Sequence, residues 1–80
     1  MKVLYGKIFF MEFEIIDNYI ELYQLLKVTG ICGSGGEAKH VISNGLVKVD
    51  GVVETRKKCK INPYQTVVFN NQSILVTKAE

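Results

Sequence analysis

Eighty residues, 48% hydrophobic and 22% charged, describe one small folded domain; they exclude a disordered chain and leave little room for a deep substrate cavity. The net charge of +2 is small, but residues 39–60 hold Lys39, Lys48, Arg56, Lys57, Lys58 and Lys60 against only Asp50 and Glu54. Positive charge gathered in one third of the chain points to an anionic partner.

Residues 1–10 show no clear partner pattern and read as a loosely attached N-terminal extension, so the domain is expected over 11–80, with Met11 a second possible start. Residues 8–16 are apolar but interrupted by Glu12 and Glu14, too short and too charged for a membrane span. Their partial alternation predicts a strand near 11–16. Asn18-x-x-Glu21 is a capping-box pattern that opens a first helix, with Tyr19, Leu22, Tyr23 and Leu26 at helical spacing and Gly30 as the stop. Ser34-x-x-Glu37 opens a second helix that ends at Gly45. Its apolar stripe is Ala38, Val41 and Ile42, with Lys39 on a flank and His40 pointing away.

Beyond Gly45 the period changes to two. Val47 and Val49 alternate with Lys48, and Asp50-Gly51 is a strong hairpin signal, with Val52–Thr55 returning. Residues 56–60 read as an extended cationic segment, which puts Arg56, Lys58 and Lys60 on one side and allows Lys48 to join them. Asn62-Pro63-Tyr64 marks a turn. Thr66–Phe69 and Ile74–Thr77 flank a polar connection in a second hairpin. The expected fold is α+β: one strand, two packed helices, then about four mostly antiparallel strands in two hairpins, with the helices on one sheet face.

The motifs favour binding over catalysis. Gly33-x-Gly35-x-x-Ala38 matches a dinucleotide fingerprint in letters, but a helix precedes it where a strand is needed. Gly30-x-x-x-x-Gly35 lacks the Lys and Ser/Thr of a P-loop. Gly33-Ser34-Gly35-Gly36 reads as a capped interhelical turn that also lets a phosphate reach a helix start. His40 has no partner for a metal site, and Ser34 has no base beside it in sequence. Glu12, Glu14 and Asp17 read as surface residues. Cys32 and Cys59 lack metal-ligand or redox spacing, and with no export signal they read as reduced thiols in a cytoplasmic protein. No catalytic residue, metal or cofactor is expected.

Leu22-x-x-Leu25-Leu26-Lys27, Ser34-Gly35-Gly36-x-Ala38-Lys39-x-x-Ile42-x-x-Gly45-x-Val47-x-Val49-Asp50-Gly51 and Thr55-Arg56-Lys57-x-x-Lys60 together resemble the αL-motif RNA-binding domain named after small-ribosomal-subunit protein four. The likeness is nearest to free-standing bacterial members of the YbcJ type and covers roughly residues 12–77. It implies that the second helix, its N-terminal loop and the following hairpin form a basic surface for structured RNA. Carried over, this implicates Ser34, Gly35, Gly36, Lys39, Lys48, Asp50, Gly51, Arg56, Lys57, Lys58 and Lys60. Gly35 stands where many relatives have Arg, Asp50 where the wider family often has Asn, and Pro63-Tyr64-Gln65 replaces a common Gly-Asp.

The expected function is recognition of structured RNA, ribosomal or other, through backbone phosphates, with no membrane partner. Few aromatics lie in the basic region, which argues against base stacking as the main mode. The alternative is a protein–protein adaptor inside a ribonucleoprotein particle, and a third option is a small nucleotide-utilising enzyme. The adaptor calls for a large exposed apolar patch and the enzyme for a polar pocket. The residues leave the oligomeric state open.

Overall fold

Alternating Met11, Phe13 and Ile15 mark one long strand whose inner side chains pack into or against the buried core. The computed structural model describes residues 2–5 and 8–80. Strand β1 (Lys2–Tyr5) pairs antiparallel with β2 (Ile8–Ile15), followed by a short β3 (Ile20–Glu21) and helix α1 (Leu22–Val28). Helix α2 (Gly35–Ser43) leads into β4 (Val47–Val49), β5 (Val52–Val53), β6 (Lys60–Ile61), β7 (Thr66–Phe69) and β8 (Gln72–Lys78). The main sheet has the order β1-β2-β8-β7-β4-β5, and β3 pairs with β6 in a separate two-stranded ladder.

The architecture is α+β, with two helices on a mixed sheet. Three strands precede α1 where one was expected, and five follow α2. The main departure from an antiparallel sheet is central. β2 and β8 run parallel, from Phe9 opposite Gln72 to Ile15 opposite Lys78. Both helices, the first hairpin and β7 lie in the connection between them, the long crossover that a parallel pair requires. The boundary drawn before residue 11 falls inside β2, and residues 2–5 form the edge strand beside it.

Leu22, Leu25 and Leu26 of α1 and Ala38, Val41 and Ile42 of α2 pack on Val47, Val67, Ile74 and Val76 of the sheet, with Ile61 and Cys32 closing the core. Gly30, at φ +78°, and Gly45, at φ +73°, take the left-handed conformation that stops each helix. At Gly45 the match to a Schellman motif is complete, with the Leu46 amide donating to Val41 and the Gly45 amide to Ile42, each at 3.1 Å.

The capping box expected at Asn18 does not form. Ile20 and Glu21 are taken up by pairing with Ile61 and Lys60, which delays α1 to Leu22, and Tyr19 falls outside the helix. The Asn18 side-chain oxygen instead accepts from Lys78 Nζ at 3.3 Å.

Both two-residue hairpin turns have the sign their strands need. Asp50 and Gly51 have φ of 50° and 83°, and Asn70 and Asn71 have 51° and 63°, matching the twist of the flanking strands. The first turn is tied to β7. Asp50 Oδ1 accepts from the Thr66 amide at 2.9 Å and Oδ2 from Gln65 Nε2 at 3.0 Å. The Asp50 amide in turn donates to the Thr66 carbonyl at 2.8 Å.

Three outcomes follow from this packing. Leu26→Asp places an unpaired charge in the closed core, costs on the order of several kcal/mol and abolishes the cooperative urea transition. A chain beginning at Met11 keeps the register from Met11 to Ile15 and, among the described residues, the whole buried core, so we propose that residues 1–10 are dispensable; circular dichroism of that chain shows native content. Asp50→Asn sets an amide against the Thr66 and Gln65 donors and lowers stability by about 1 kcal/mol in urea. The Thr66 amide, and after it Gln65, hold the Asp50 carboxyl below its usual range. The wild-type advantage over Asp50→Asn is therefore full above the ordinary carboxylate range and fades as pH falls through the depressed folded value.

Candidate nucleic-acid interface

The cationic segment is a turn, not the extended strand its sequence suggests. The Cys59 amide donates back to the Arg56 carbonyl at 3.1 Å, which folds Lys57 and Lys58 outward as the exposed corner. The same turn is fixed to α1 from inside. The carbonyl of Cys59 accepts from the Leu22 amide at 2.9 Å, and that of Lys57 from the Tyr23 amide at 3.0 Å. Glu21, the residue before the helix, makes no side-chain cap, so these two carbonyls do the capping. Arg56, Lys58 and Lys60 still share a side, since with Cys59 they line one open hollow. The grouping comes from the turn and not from strand alternation.

Arg56 is held by Glu54. Nε donates to Oε2 and Nη2 to Oε1, both at 2.9 Å, and the Arg56 amide donates to Oε2 at 2.9 Å as well. The Arg56 side chain and then its amide hold the Glu54 carboxyl down to about 2. Cys59, beside Arg56, is half-buried, and Cys32 is in the core. Burial, and then Glu54, push the Cys59 thiol up; burial, and then Glu37, do so for Cys32.

The second element is the start of α2. Ser34 Oγ accepts from the Glu37 amide at 3.0 Å, and Glu37 Oε2 accepts from the Gly33 amide at 2.9 Å. The reciprocal box therefore forms, with its return bond one residue earlier than the standard pattern. Among the described residues the amides of Gly35 and Gly36 have no protein acceptor. A Cβ at Gly36 would meet only Ser34 Oγ, at 3.9 Å, so the approach to these amides is open.

Tyr23 joins the two elements. Its amide is bonded to the basic turn, and its ring lies 3.8 Å from a Cβ built on Gly35. Lys39 Nζ sits 4.7 Å from the centre of the same ring, a cation–π distance. Lys60 makes the matching contact with Tyr19 at 4.9 Å. Tyr23, at helical spacing from Leu22 and Leu26, is half-buried and packs against the core on one side while its ring faces Gly35 and Lys39 on the other.

Lys48 does not join this surface. It alternates with Val47 and Val49, which pack toward the helices, so it projects from the opposite sheet face. Asp50 spends both carboxylate oxygens on β7, and Gly51 completes the turn. His40 is exposed, and its ring meets Asn44 Nδ2 at 3.1 Å. Glu54, missed by the sequence reading, is the residue that fixes Arg56. Tyr19 also borders an open groove with Glu14, Asp17 and Glu21, whose carboxylates disfavour phosphate there.

Comparison with known proteins identifies the family of this fold. The S4 domain family matches residues 13–77. YbcJ of Escherichia coli (strain K12) is 53% identical over 58 residues, covering 72% of this chain and 83% of its own length, and YbcJ of Shigella flexneri gives the same figures. The solution structure of E. coli YbcJ, described as revealing an αL motif involved in RNA binding, superposes with a TM-score of 0.66 at 48% identity, covering 82% of this chain and 85% of that one. The crystal structure of the 30S ribosomal protein S4e from Thermoplasma acidophilum gives a TM-score of 0.55 at 28% identity, over 71% of this chain and 30% of that one. The chain spans most of the length of the YbcJ proteins and belongs to the S4 domain family.

Proposed function

We propose that this chain is a bacterial, cytoplasmic RNA-binding module without catalysis of its own, which holds structured RNA by its backbone phosphates. The observation that carries the reading is the hollow formed by Arg56, Lys58 and Lys60 on a turn anchored to α1. Likeness to YbcJ, whose structure is described through an RNA-binding motif, supports it. In this reading Lys39, Arg56, Lys58 and Lys60 each meet a phosphate, while Lys57 at the exposed corner adds to the field. The Gly35 and Gly36 amides receive one further phosphate through a start shaped by Ser34. Lys48 lies on the other face and Asp50 holds the hairpin, so neither contacts RNA here. Tyr19 and Tyr23 each carry a lysine against the ring, which favours gripping phosphate over stacking bases.

Four such contacts give a slope of log affinity against log salt of about −3 to −4. Lys58→Ala flattens that slope by a little under one unit on unrelated RNA sequences alike. Gly36→Val leaves the slope unchanged and lowers affinity at every salt concentration, because its side chain covers the helix-start amides. Fluorescence anisotropy across a salt series, with circular dichroism to confirm folding, measures both. Full affinity in a folded Gly36→Val reduces the α2 start to a turn. An absence of RNA binding in the parent protein overturns the reading in favour of an adaptor.

A further inference from the structure

Glu54 is an acid set among Arg56, Lys57, Lys58 and Lys60. By charge alone it should weaken the hold on any polyanion. The geometry points the other way. Three donors of Arg56, its amide, Nε and Nη2, converge on this one carboxylate at 2.9 Å each. The Glu54 side chain is only 17% exposed and that of Arg56 is 75% exposed, so the acid is the shielded support and the guanidinium the presented group. Glu54 is itself anchored, since its amide donates to the Val47 carbonyl at 3.0 Å. The remaining edge of Nη2 meets Cys59 Sγ at 3.6 Å, and among the described residues the Nη1 protons have no acceptor.

A free arginine loses most of its rotamer freedom when it grips a phosphate, whereas one already held in place loses little. The fork geometry of the guanidinium makes this holding directional in a way a lysine cannot reproduce. We propose that Glu54 is a positioning residue that promotes RNA binding: it holds Arg56 with its Nη1 edge outward, beside Lys58 and Lys60, so that the guanidinium meets a phosphate preorganised. The proposal rests on the RNA-binding reading above and adds to it the residue that orients its arginine.

The two effects of Glu54 have opposite signs, which makes the test direct. The probe is a fluorescein-labelled RNA stem-loop with a bulged stem, titrated with the full chain at two salt concentrations. Glu54→Ala raises the net charge by one, yet is expected to bind about three- to tenfold more weakly. Glu54→Gln, which keeps the shape and one acceptor, loses less. Arg56→Lys keeps the charge without the fork and loses a similar factor to Glu54→Ala. In an Arg56→Ala background, Glu54→Ala no longer weakens binding and strengthens it slightly, because only its charge is left to matter. The Arg56 Hε resonance is resolved and slow to exchange in the parent and lost in Glu54→Ala. Urea titration of each variant separates unfolding from loss of positioning, and Glu54→Gln serves should Glu54→Ala fail to fold. Tighter binding by Glu54→Ala, by the same factor with and without Arg56, overturns the proposal while leaving RNA binding intact. A parent protein that does not bind the stem-loop at all removes both.

Discussion

Two backbone hydrogen bonds, from the amides of Leu22 and Tyr23 to the carbonyls of Cys59 and Lys57, organise the molecule. Helix α1 is seven residues long and has no side-chain cap. A helix of that length does not hold itself together in water. Its first amides find acceptors only after α2 and the first hairpin have carried the chain back past it. The same bonds turn the carbonyls of the basic turn inward, and so leave the cationic side chains of Lys57 and Lys58 outside. Helix stability and the presentation of charge are therefore consequences of one contact. The core follows the same logic, because Leu22, whose amide makes one of these bonds, is fully buried, and Ile61, just past the turn, is buried with it.

Much of this was legible locally. Ser34 with Glu37 marked the start of α2, the two glycines marked the helix stops, and Asp50-Gly51 marked the hairpin, because each signal is satisfied within a few residues. The failures share a different cause. Asn18 and Glu21 carry the letters of a capping box, but Ile20 and Glu21 pair with Ile61 and Lys60, far along the chain, and long-range pairing outweighed the local cap. The parallel contact between β2 and β8 spans a still longer stretch of chain. The side of Lys48, by contrast, could have been read from Val47 and Val49, once the helices were assigned to the face those valines share. For the site, composition identified the cations of residues 56–60, and helical spacing grouped Tyr19 with Tyr23. Only coordinates show that Glu54 grips Arg56 and that Tyr23 sits between Gly35, Lys39 and the Lys57 carbonyl.

The departures from the resembled family pattern are related to one another in space. Asp50 replaces a frequent Asn, and Gln65 falls where a Gly-Asp is common. In the fold these two side chains bond to each other at 3.0 Å. Gln65 Oε1 already accepts from the Asn62 amide at 2.8 Å, so its Nε2 must face Asp50. Asp50 must also accept from the Thr66 amide. Two donors converge there, and a carboxylate offers two acceptor oxygens where an asparagine offers one. The aspartate tolerates the positive φ of the turn almost as well as asparagine does. Each change thus explains the other, and the hairpin stays fixed to β7.

The same reasoning applies to Gly35, which stands where many relatives carry an arginine. A side chain there would grow toward the Tyr23 ring, 3.8 Å from its Cβ, and toward the stem of Lys27. Lys39 already lies over that ring and supplies a cation next to the helix start. The fork-shaped cation is found on the other element, at Arg56, where Glu54 holds it. With no side chain on Gly35 or Gly36, the first amides of α2 are open to an anion, while Lys39 and the Arg56 turn supply positive charge nearby. The net charge is only +2, yet the turn bonded to α1 concentrates cations around one hollow while the carboxylates of Glu14, Asp17 and Glu21 border a separate groove.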